Sequence, residues 1–171
     1  DWLRQFLGVR IGDKRVLKLI DAWLKAGVIE ESKWESSEQG TPQGGSISPL
    51  LANIYLHYVL DLWFEKKIKP QFLGKADLVR FADDFCIFFK SQEHVDFMMK
   101  LLRIRFEQFG LIVAEKKTHK TNLSVRENGK SHERRRMTFL GFTIYRTRNL
   151  NKTATKTVFR TEAKRFSRAK K

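Results

Sequence analysis

Residues 80–89 read RFADDFCIFF, and this stretch decides how the middle of the chain folds. Two adjacent carboxylates, Asp83 and Asp84, interrupt a run that is otherwise mostly apolar. Apolar segments on both sides of a short polar turn are typical of a β-hairpin, and aspartate itself favours turns. The pattern predicts two strands within residues 77–89, with the aspartate pair between them.

The aspartate pair has two interpretations, an ordinary β-turn and a metal site. Two carboxylates this close repel each other, and a divalent cation such as Mg²⁺ removes the repulsion because it binds carboxylate oxygens. The apolar residues of 78–79 and 85–89 predict that both strands are buried, which would give the turn a rigid support. A rigid support is what a metal site requires, so the flanking residues favour the magnesium site.

Hydrophobic periodicity and capping residues place further elements on both sides of the hairpin. Asp13, Ser48 and Ser91 stand where helix N-caps are expected, and Gly110 stands where a helix ends. The predicted helices are residues 2–10, 14–26, 49–67, 92–109 and 161–171, and the further predicted strands are 111–126 and 137–146. This order predicts an α+β fold with helices on one face of an antiparallel sheet.

Three polar residues, Asn53, His57 and Asp61, recur every four positions along the predicted helix 49–67. His57 and Asp61 are candidate metal ligands, but side chains at this spacing pair routinely on a helix surface. We therefore expect a polar helix face. The lone Cys86 follows the aspartate pair and is expected to be a small core residue.

The positive charge of the chain is concentrated near its C-terminal end. The formal net charge is +15, and residues 111–171 hold 18 basic and 4 acidic residues. A surplus of this size indicates a polyanionic partner, most simply nucleic acid. The alternative is a solvated, disordered tail, but aromatic residues are interleaved with the charges, and disordered tails are poor in aromatics.

Several features bear on the compartment. A single cysteine excludes an intrachain disulfide and indicates a reducing compartment. No apolar run approaches the roughly 20 residues of a membrane span, and no signal peptide opens the chain. The first residue is Asp1 rather than Met. From these features we expect a cytoplasmic protein, of which this chain is a piece.

Four motifs in order resemble those of reverse transcriptases. Residues 80–85, RFADDF, are similar to the central aspartate motif of the family, and residues 40–56, GTPQGGSISPLLANIYL, are similar to the motif before it. Residues 109–118 and 139–142 resemble the two motifs that follow. The motifs are most similar to those of the reverse transcriptase/maturase proteins encoded by bacterial and organellar group II introns, and the resemblance covers essentially the whole chain.

The resemblance implies a partial polymerase palm, in which a ferredoxin-like antiparallel sheet carries helices on one face. Residues 1–155 would form this partial palm, and residues 156–171 would begin the thumb helix. Asp83 and Asp84 would bind metal ions and act in catalysis. Lys117 would be the third catalytic residue, near the leaving pyrophosphate, where a cation offsets developing charge.

Three further groups of residues would contact nucleotide or nucleic acid. Small residues suit this task because the backbone must approach the ligand closely. The nucleotide and template site would comprise Pro42, Gln43, Gly44 and Gly45. The primer grip would comprise Phe139, Leu140, Gly141 and Phe142. The nucleic-acid backbone would be bound by Arg134, Arg135, Arg136, Lys164 and Arg165.

The implied reaction is RNA-templated addition of deoxynucleotides to the 3′-OH of a DNA primer with two Mg²⁺ ions, for which Mn²⁺ can substitute. Intron RNA is the implied template. The family places a metal-binding aspartate motif before the glycine-rich loop, and this chain has no such motif. We therefore expect the chain to be inactive alone, and its exposed palm surface to favour self-association.

Two alternatives stay open. An RNA-binding splicing maturase without polymerase activity would carry the same basic surface, although the intact Asp83 and Asp84 argue against a degenerate polymerase site. A reverse transcriptase of the retron or defence type would share the same motifs. Asp83→Ala separates polymerase from maturase, because it should abolish polymerisation and leave RNA affinity largely intact.

Overall fold

A computed structural model of the chain describes residues 2–25, 28–30, 33–35, 47–73, 75–124, 135–149, 151 and 154–169. The chain divides into two compact units, residues 1–112 and 113–171. The helices are α1 (Trp2–Gly8), α2 (Lys14–Lys25), α3 (Ser48–Leu56), α4 (Gln92–Gln108) and α5 (Ala163–Ala169). The strands are β1 (Val28–Glu30), β2 (Lys33–Glu35), β3 (Asp77–Phe81), β4 (Asp84–Phe88), β5 (Arg136–Phe139), β6 (Phe142–Arg148) and β7 (Thr155–Thr161).

The described strands form three small antiparallel sheets, β1–β2, β3–β4 and β5–β6–β7. Helices combined with small antiparallel sheets confirm the α+β class. The ferredoxin-like arrangement of a single palm sheet stays a prediction. No helix in the described part of the chain is both long and apolar enough to span a bilayer.

The first three helices form a small core in the first unit. Leu7, Ile20 and Leu51, one from each helix, are buried against one another. The carboxylate of Asp13 accepts a hydrogen bond from the N–H of Arg15 at 2.8 Å, as an N-cap residue does. The predicted helices 2–10 and 14–26 are therefore confirmed to within two residues, and so is the cap.

The helix after the glycine-rich loop differs from the prediction of one α-helix over 49–67. After α3 the chain winds into two π-helical segments, His57–Asp61 and Phe64–Ile68, and ends in a 3₁₀ turn, Lys69–Phe72. The predicted N-cap at Ser48 is wrong. The cap position is occupied by Ile47, whose side chain cannot accept a hydrogen bond, and Ser48 is the first helical residue.

A guanidinium from α4 holds the first π segment. Arg105 donates from Nε to the carbonyl oxygen of Val59 at 3.0 Å and from Nη2 to that of Tyr58 at 3.4 Å. Its guanidinium carbon lies 4.2 Å from the ring centroid of Phe109. Burial lowers the pKa of Arg105, and a buried charge needs acceptors. These contacts join α4 to the first π segment, in which Val59 lies 46 positions before Arg105.

The predicted hairpin and the helix after it are confirmed. Strands β3 and β4 pair from Asp77 with Phe88 to Phe81 with Asp84. The side chain of Ser91 accepts a hydrogen bond from the N–H of His94 and caps α4, and Gly110 follows its end with a φ of +67°.

The prediction that both hairpin strands are buried is wrong for one of their faces. Val79 is 49% exposed and Phe81 is 65% exposed. On the opposite face, Phe85 packs toward Phe106 of α4, with 6.1 Å between ring centroids. The hairpin therefore covers the helices with one face only, and its other face is open among the described residues.

The second unit differs more from the prediction. The described part of the predicted strand 111–126, which ends at residue 124, contains a turn and no strand, so this prediction is wrong there. The predicted strand 137–146 is instead a hairpin, β5–β6, which reverses at Leu140 and Gly141. Both turn residues have positive φ, +50° and +79°, as a two-residue type I′ hairpin requires. Strand β7 was not predicted.

The last predicted helix lies at the end of the second unit. The predicted helix 161–171 is confirmed as α5, which begins two residues later than predicted, at Ala163.

Candidate functional site

The hairpin between β3 and β4 presents both aspartates at its end. Phe81 and Asp84 form the last strand pair, so only Ala82 and Asp83 make up the connection. The predicted position of the pair is thus half right, because Asp84 already belongs to β4. Both carboxylates are exposed. They are presented to solvent from a short, tight connection.

The turn has an unfavourable backbone conformation. Ala82 has a φ of +52°, a left-handed conformation that costs a non-glycine residue roughly 1–2 kcal/mol. Such a conformation persists only where surrounding contacts compensate for it. The source of that compensation lies one residue before the end of β3.

Arg80 makes four hydrogen bonds around the turn. Its Nε and Nη2 donate to the two carboxylate oxygens of Asp61, at 2.7 and 2.6 Å. Its Nη1 donates both to the side-chain oxygen of Asn53, at 2.8 Å, and to the carbonyl oxygen of Ala82, at 2.7 Å. One guanidinium therefore joins the strained turn residue to the helix that lies against the hairpin.

The helical partners of Arg80 are two of the three polar residues singled out in the sequence. Asn53 lies on α3 and Asp61 ends the first π segment, and Nδ1 of His57 lies 3.5 Å from Asp61. Hydrogen bonding to Asp61 raises the pKa of Arg80. The predicted polar helix face is confirmed, and two of its side chains accept hydrogen bonds from Arg80. Sequence reasoning missed Arg80 because no local pattern connects it to residues 19 and 27 positions away.

Cys86 lies two residues after Asp84, and the charge of that aspartate affects the pKa of its thiol. Burial, followed by the negative charge of Asp84, raises the pKa of Cys86 to about 11. The thiol is therefore protonated at neutral pH, and only the thiolate is a nucleophile. Cys86 is half-buried and pairs with Val79 on the open face of the hairpin, so the prediction of a core residue is wrong. Strand β4 has its more buried side chains on the other face.

The reactivity of Cys86 tests this electrostatic coupling. Alkylation with iodoacetamide at pH 8 should be roughly a hundredfold slower in the folded chain than in urea, since two pKa units leave about a hundredth of the thiolate. Asp84→Asn removes a negative charge, lowers the thiol pKa and should speed the reaction. Asp83→Asn serves as the matched control and should change the rate less. Equal acceleration by both variants would contradict the coupling.

The donor set at the hairpin is compatible with Mg²⁺. Within the described residues, no group of three or more His, Cys, Asp or Glu side chains is arranged to hold a metal ion. Asp83 and Asp84 nevertheless offer two exposed carboxylates, and Mg²⁺ is commonly held by one or two carboxylates together with waters and substrate phosphates. The residues present therefore fit a magnesium site that is completed by ligands from outside this hairpin.

The remaining predicted catalytic residue and the predicted nucleotide-binding residues do not lie on the aspartate hairpin. Lys117 is exposed in a turn, where its N–H donates to the carbonyl oxygen of Ala114 at 2.9 Å. It belongs to the second unit, whereas the aspartates belong to the first. The predicted nucleotide and template residues, Pro42, Gln43, Gly44 and Gly45, lie outside the described residues.

The predicted primer grip coincides with the β5–β6 turn. Phe139 and Phe142 form its closing strand pair, and the carbonyl oxygen of Gly141 accepts a hydrogen bond from the N–H of Glu162 at 2.9 Å. The guanidinium of Arg165 on α5 lies against Gly141, and a Cβ added at that glycine would overlap it. The structure thus brings together two residues that the sequence assigned to different groups.

The predicted backbone-binding arginines take different positions. Arg135 is half-buried and donates from Nη1 to the hydroxyl oxygen of Ser124 at 2.9 Å. Arg136 is exposed at the start of β5. Arg134 and the side chain of Lys164 lie outside the described part of the chain.

Comparison with known families gives one match that covers most of the chain. A model of the family described as reverse transcriptase (RNA-dependent DNA polymerase) matches residues 4–144. The matched range includes the aspartate hairpin, all the hydrogen-bond partners of Arg80 and the turn at Leu140 and Gly141.

Curated relatives match shorter stretches. The group II intron-encoded protein LtrA of Lactococcus lactis subsp. cremoris is 43% identical over 63 residues, which are 37% of this chain and 10% of that protein. An uncharacterized 91 kDa protein in a cob intron of Schizosaccharomyces pombe is 39% identical over 80 residues, 47% of this chain and 10% of that protein. Protein YkfC of Escherichia coli is 40% identical over 68 residues, 39% of this chain and 16% of that protein. The matched stretches thus span less than a fifth of these relatives.

Proposed function

Because this chain belongs to the reverse transcriptase family, we propose that it forms part of the palm of an RNA-directed DNA polymerase of the group II intron type. The observation that carries the proposal is the exposed carboxylate pair of Asp83 and Asp84. Arg80 supports the turn that presents this pair, because it donates hydrogen bonds both to the carbonyl oxygen of Ala82 and to Asp61. The names of the relatives encoded in introns support intron RNA as the template.

In the proposed reaction, a DNA primer 3′-OH is extended with deoxynucleotides. Asp83 and Asp84 would hold Mg²⁺, for which Mn²⁺ can substitute, and two such ions would supply positive charge that stabilises the transition state of phosphoryl transfer. Arg80 keeps the backbone of the turn in place, so that both carboxylates are preorganised. Lys117 neutralises negative charge at the leaving pyrophosphate and donates a proton to it.

We assign the other residues by their chemistry. Residues 42–45 lie against nucleotide and template, where small residues allow close approach. The turn of residues 139–142 grips the primer, and the contact of Arg165 with Gly141 supports a coupling of this grip to the first thumb helix. Residues 1–155 are the partial palm, with a ferredoxin-like sheet, and 156–171 begin the thumb. A bacterial cytoplasmic location stays a prediction.

A metal titration tests the proposed site in the chain itself. A calorimetric titration with Mn²⁺ should give a dissociation constant in the submillimolar to millimolar range. The reason is that the hairpin offers two carboxylates and solvent completes the coordination. A folded chain that takes up no Mn²⁺ at several millimolar would sink the assignment of Asp83 and Asp84 as metal ligands.

The chain alone is expected to be inactive. Two metal ions held for phosphoryl transfer need more ligands than two adjacent carboxylates, and the described residues hold no larger cluster. Primer extension on an RNA template by the 171-residue chain, with Mg²⁺ or Mn²⁺, should give no incorporation above background. Clear incorporation that is lost in Asp83→Ala would show that this expectation is wrong.

Self-association is expected of the chain by itself. Val79, Phe81 and Phe88 are exposed on the open face of the hairpin, and the side chain of Phe88 is 38% exposed. Exposed apolar patches promote association. Size-exclusion chromatography with light scattering should show a mass that rises with concentration. Phe81→Ser should lower that mass, while Ile104→Ser, at an exposed position on α4, is the control. A monomer at all concentrations would contradict the expectation.

A splicing maturase without polymerase activity is the second candidate. The observation in its favour is the basic second unit, since RNA binding needs no aspartate pair. A reverse transcriptase of the retron or defence type is a third candidate that the same motifs allow. Retained RNA affinity with no metal binding at the hairpin would favour the maturase.

A further inference from the structure

The helix that binds Arg80 contains a π turn close to its contacts with that arginine. The backbone N–H of Leu62 donates to the carbonyl oxygen of His57, five positions earlier, whereas an α-helix bonds over four positions. Such π turns are rare interruptions of a regular helix. This one follows Asn53 and ends at Asp61, the two residues whose side chains accept hydrogen bonds from Arg80.

The π turn explains how one guanidinium reaches both acceptors. At 3.6 residues a turn, side chains eight positions apart on an α-helix point about 80° apart. A π turn takes up one additional residue, so Asp61 points in the direction that the preceding position would have in a regular helix. Its angle to Asn53 then falls to about 20°, and the two acceptors lie nearly in line along the helix. The geometry that binds Arg80 therefore depends on the π turn.

Arg105 on α4 supplies hydrogen-bond donors to carbonyl oxygens of that turn. Its Nε donates to the oxygen of Val59 at 3.0 Å, and its Nη2 donates to that of Tyr58 at 3.4 Å. Val59 is fully buried, and a buried carbonyl oxygen that loses its donor costs free energy. In an α-helix, a carbonyl oxygen accepts from the N–H four positions on. Loss of Arg105 therefore favours α-helical winding over the π turn.

Two aromatic rings fix the direction of the Arg105 side chain. Its guanidinium carbon lies 4.2 Å from the ring centroid of Phe109 and 5.5 Å from that of Trp63, both within the range of a cation–π interaction. Phe109 is the C-cap residue of α4, and Trp63 lies between the two π segments. The planar guanidinium can contact ring faces and donate to two carbonyl oxygens at once, which a lysine ammonium group cannot do in the same way.

We propose that Arg105 is a positioning residue for the aspartate turn and that it acts through the π turn. Arg105 stabilises the π turn, and the π turn brings Asp61 into line with Asn53. Arg80 binds both acceptors and also donates to the carbonyl oxygen of Ala82, whose φ of +52° needs such support. This role rests on the proposed function for the reaction that the turn serves, but the order of the turn can be measured without metal.

Hydrogen exchange of the amides in residues 81–84 measures the order of the turn, and the amides of α2 are the reference in the same unit. Arg105→Met removes the donors and keeps an apolar side chain. Arg103→Met is the matched control, because Arg103 is an exposed arginine two positions earlier on the same helix. Both substitutions are also made in the Arg80→Met background. Calorimetry measures the Mn²⁺ affinity of every variant.

Arg105→Met should speed exchange in residues 81–84 by about tenfold or more relative to α2, because a buried acceptor is left without its donor. It should also raise the dissociation constant for Mn²⁺ by about threefold or more, as loss of groups that orient metal ligands does. Arg103→Met should change both by less than about twofold. In the Arg80→Met background, Arg105→Met should add less than about twofold, since the route through Arg80 is already broken.

Equal acceleration of exchange in the turn and in α2 would overturn the proposal, because it would show general destabilisation. An equal effect of Arg105→Met with and without Arg80 would overturn it too. If a methionine variant does not fold, lysine replaces methionine at positions 80, 103 and 105. Lysine keeps the charge and loses the forked donors, so the same order of effects is expected.

The two measurements separate this role from the proposed metal site. If exchange in residues 81–84 shows the coupling of Arg105 to Arg80 but the chain binds no Mn²⁺, the metal site falls and the positioning role stands. If Mn²⁺ binds and Asp83→Ala removes the binding, while that coupling is absent, the metal site stands and the positioning role falls.

Discussion

Asp83→Ala should lower RNA-templated DNA synthesis by about a thousandfold or more in the longer polymerase of which we propose this chain is a part. A metal ion contributes several kcal/mol of transition-state stabilisation, and each 1.36 kcal/mol corresponds to about a factor of ten in rate. In the chain itself, the same substitution should remove most of the Mn²⁺ binding. RNA affinity should change little, because the carboxylate does not attract phosphates.

The matched control for this prediction is Asp77→Ala. Asp77 is an exposed aspartate on the same hairpin, at the far end of β3, where it lies 3.5 Å from the ammonium group of Lys69. Its loss removes the same charge and side chain, so Mn²⁺ binding and synthesis should persist. If Asp77→Ala reduced both as strongly as Asp83→Ala, general charge rather than a metal site would explain the effect.

Arg80→Met should destabilise the chain by about 2–3 kcal/mol and disorder the aspartate turn. The side chains of Arg80 and Asp61 are only 12% and 27% exposed, and removing one partner of a largely buried ion pair leaves an uncompensated charge, which typically costs about 3–5 kcal/mol when burial is complete. The carbonyl oxygen of Ala82 also loses its donor. Urea denaturation measures the stability, and amide hydrogen exchange at Asp83 reports on the turn.

Two comparisons isolate the network from a general effect of losing an arginine. Arg15→Met breaks an ion pair with Asp13 that is open to solvent, with the Arg15 side chain 92% exposed, and should leave stability unchanged. Asp61→Asn should cost less in the Arg80→Met background than in the original chain, because the two side chains are coupled. Additive effects of the two substitutions would show that the network does not stabilise the fold.

The differences between predicted and observed elements follow from the range of the interactions involved. Helix α4 was predicted well because its cap at Ser91 and its end at Gly110 are local signals. The run 137–146 alternates in polarity as one strand would, but Gly141 allows a reversal with positive φ, and the strand becomes a hairpin. Strand β7 was missed although its residues Thr155–Thr161 are largely β-branched, which is typical of strands.

The sequence by itself determined the family, through its ordered motifs, and it determined the hairpin with its aspartate pair, since turn residues and apolar flanks act within a few positions of each other. Only the tertiary structure decided what holds that hairpin. Arg80 reaches Asp61 and Asn53 across 19 and 27 residues of sequence, and a contact between residues so far apart leaves no periodic pattern. The same reason applies to burial. Val79 and Phe81 are apolar in sequence, but exposure depends on which elements cover a strand, and the described part of the chain covers only one face of this one.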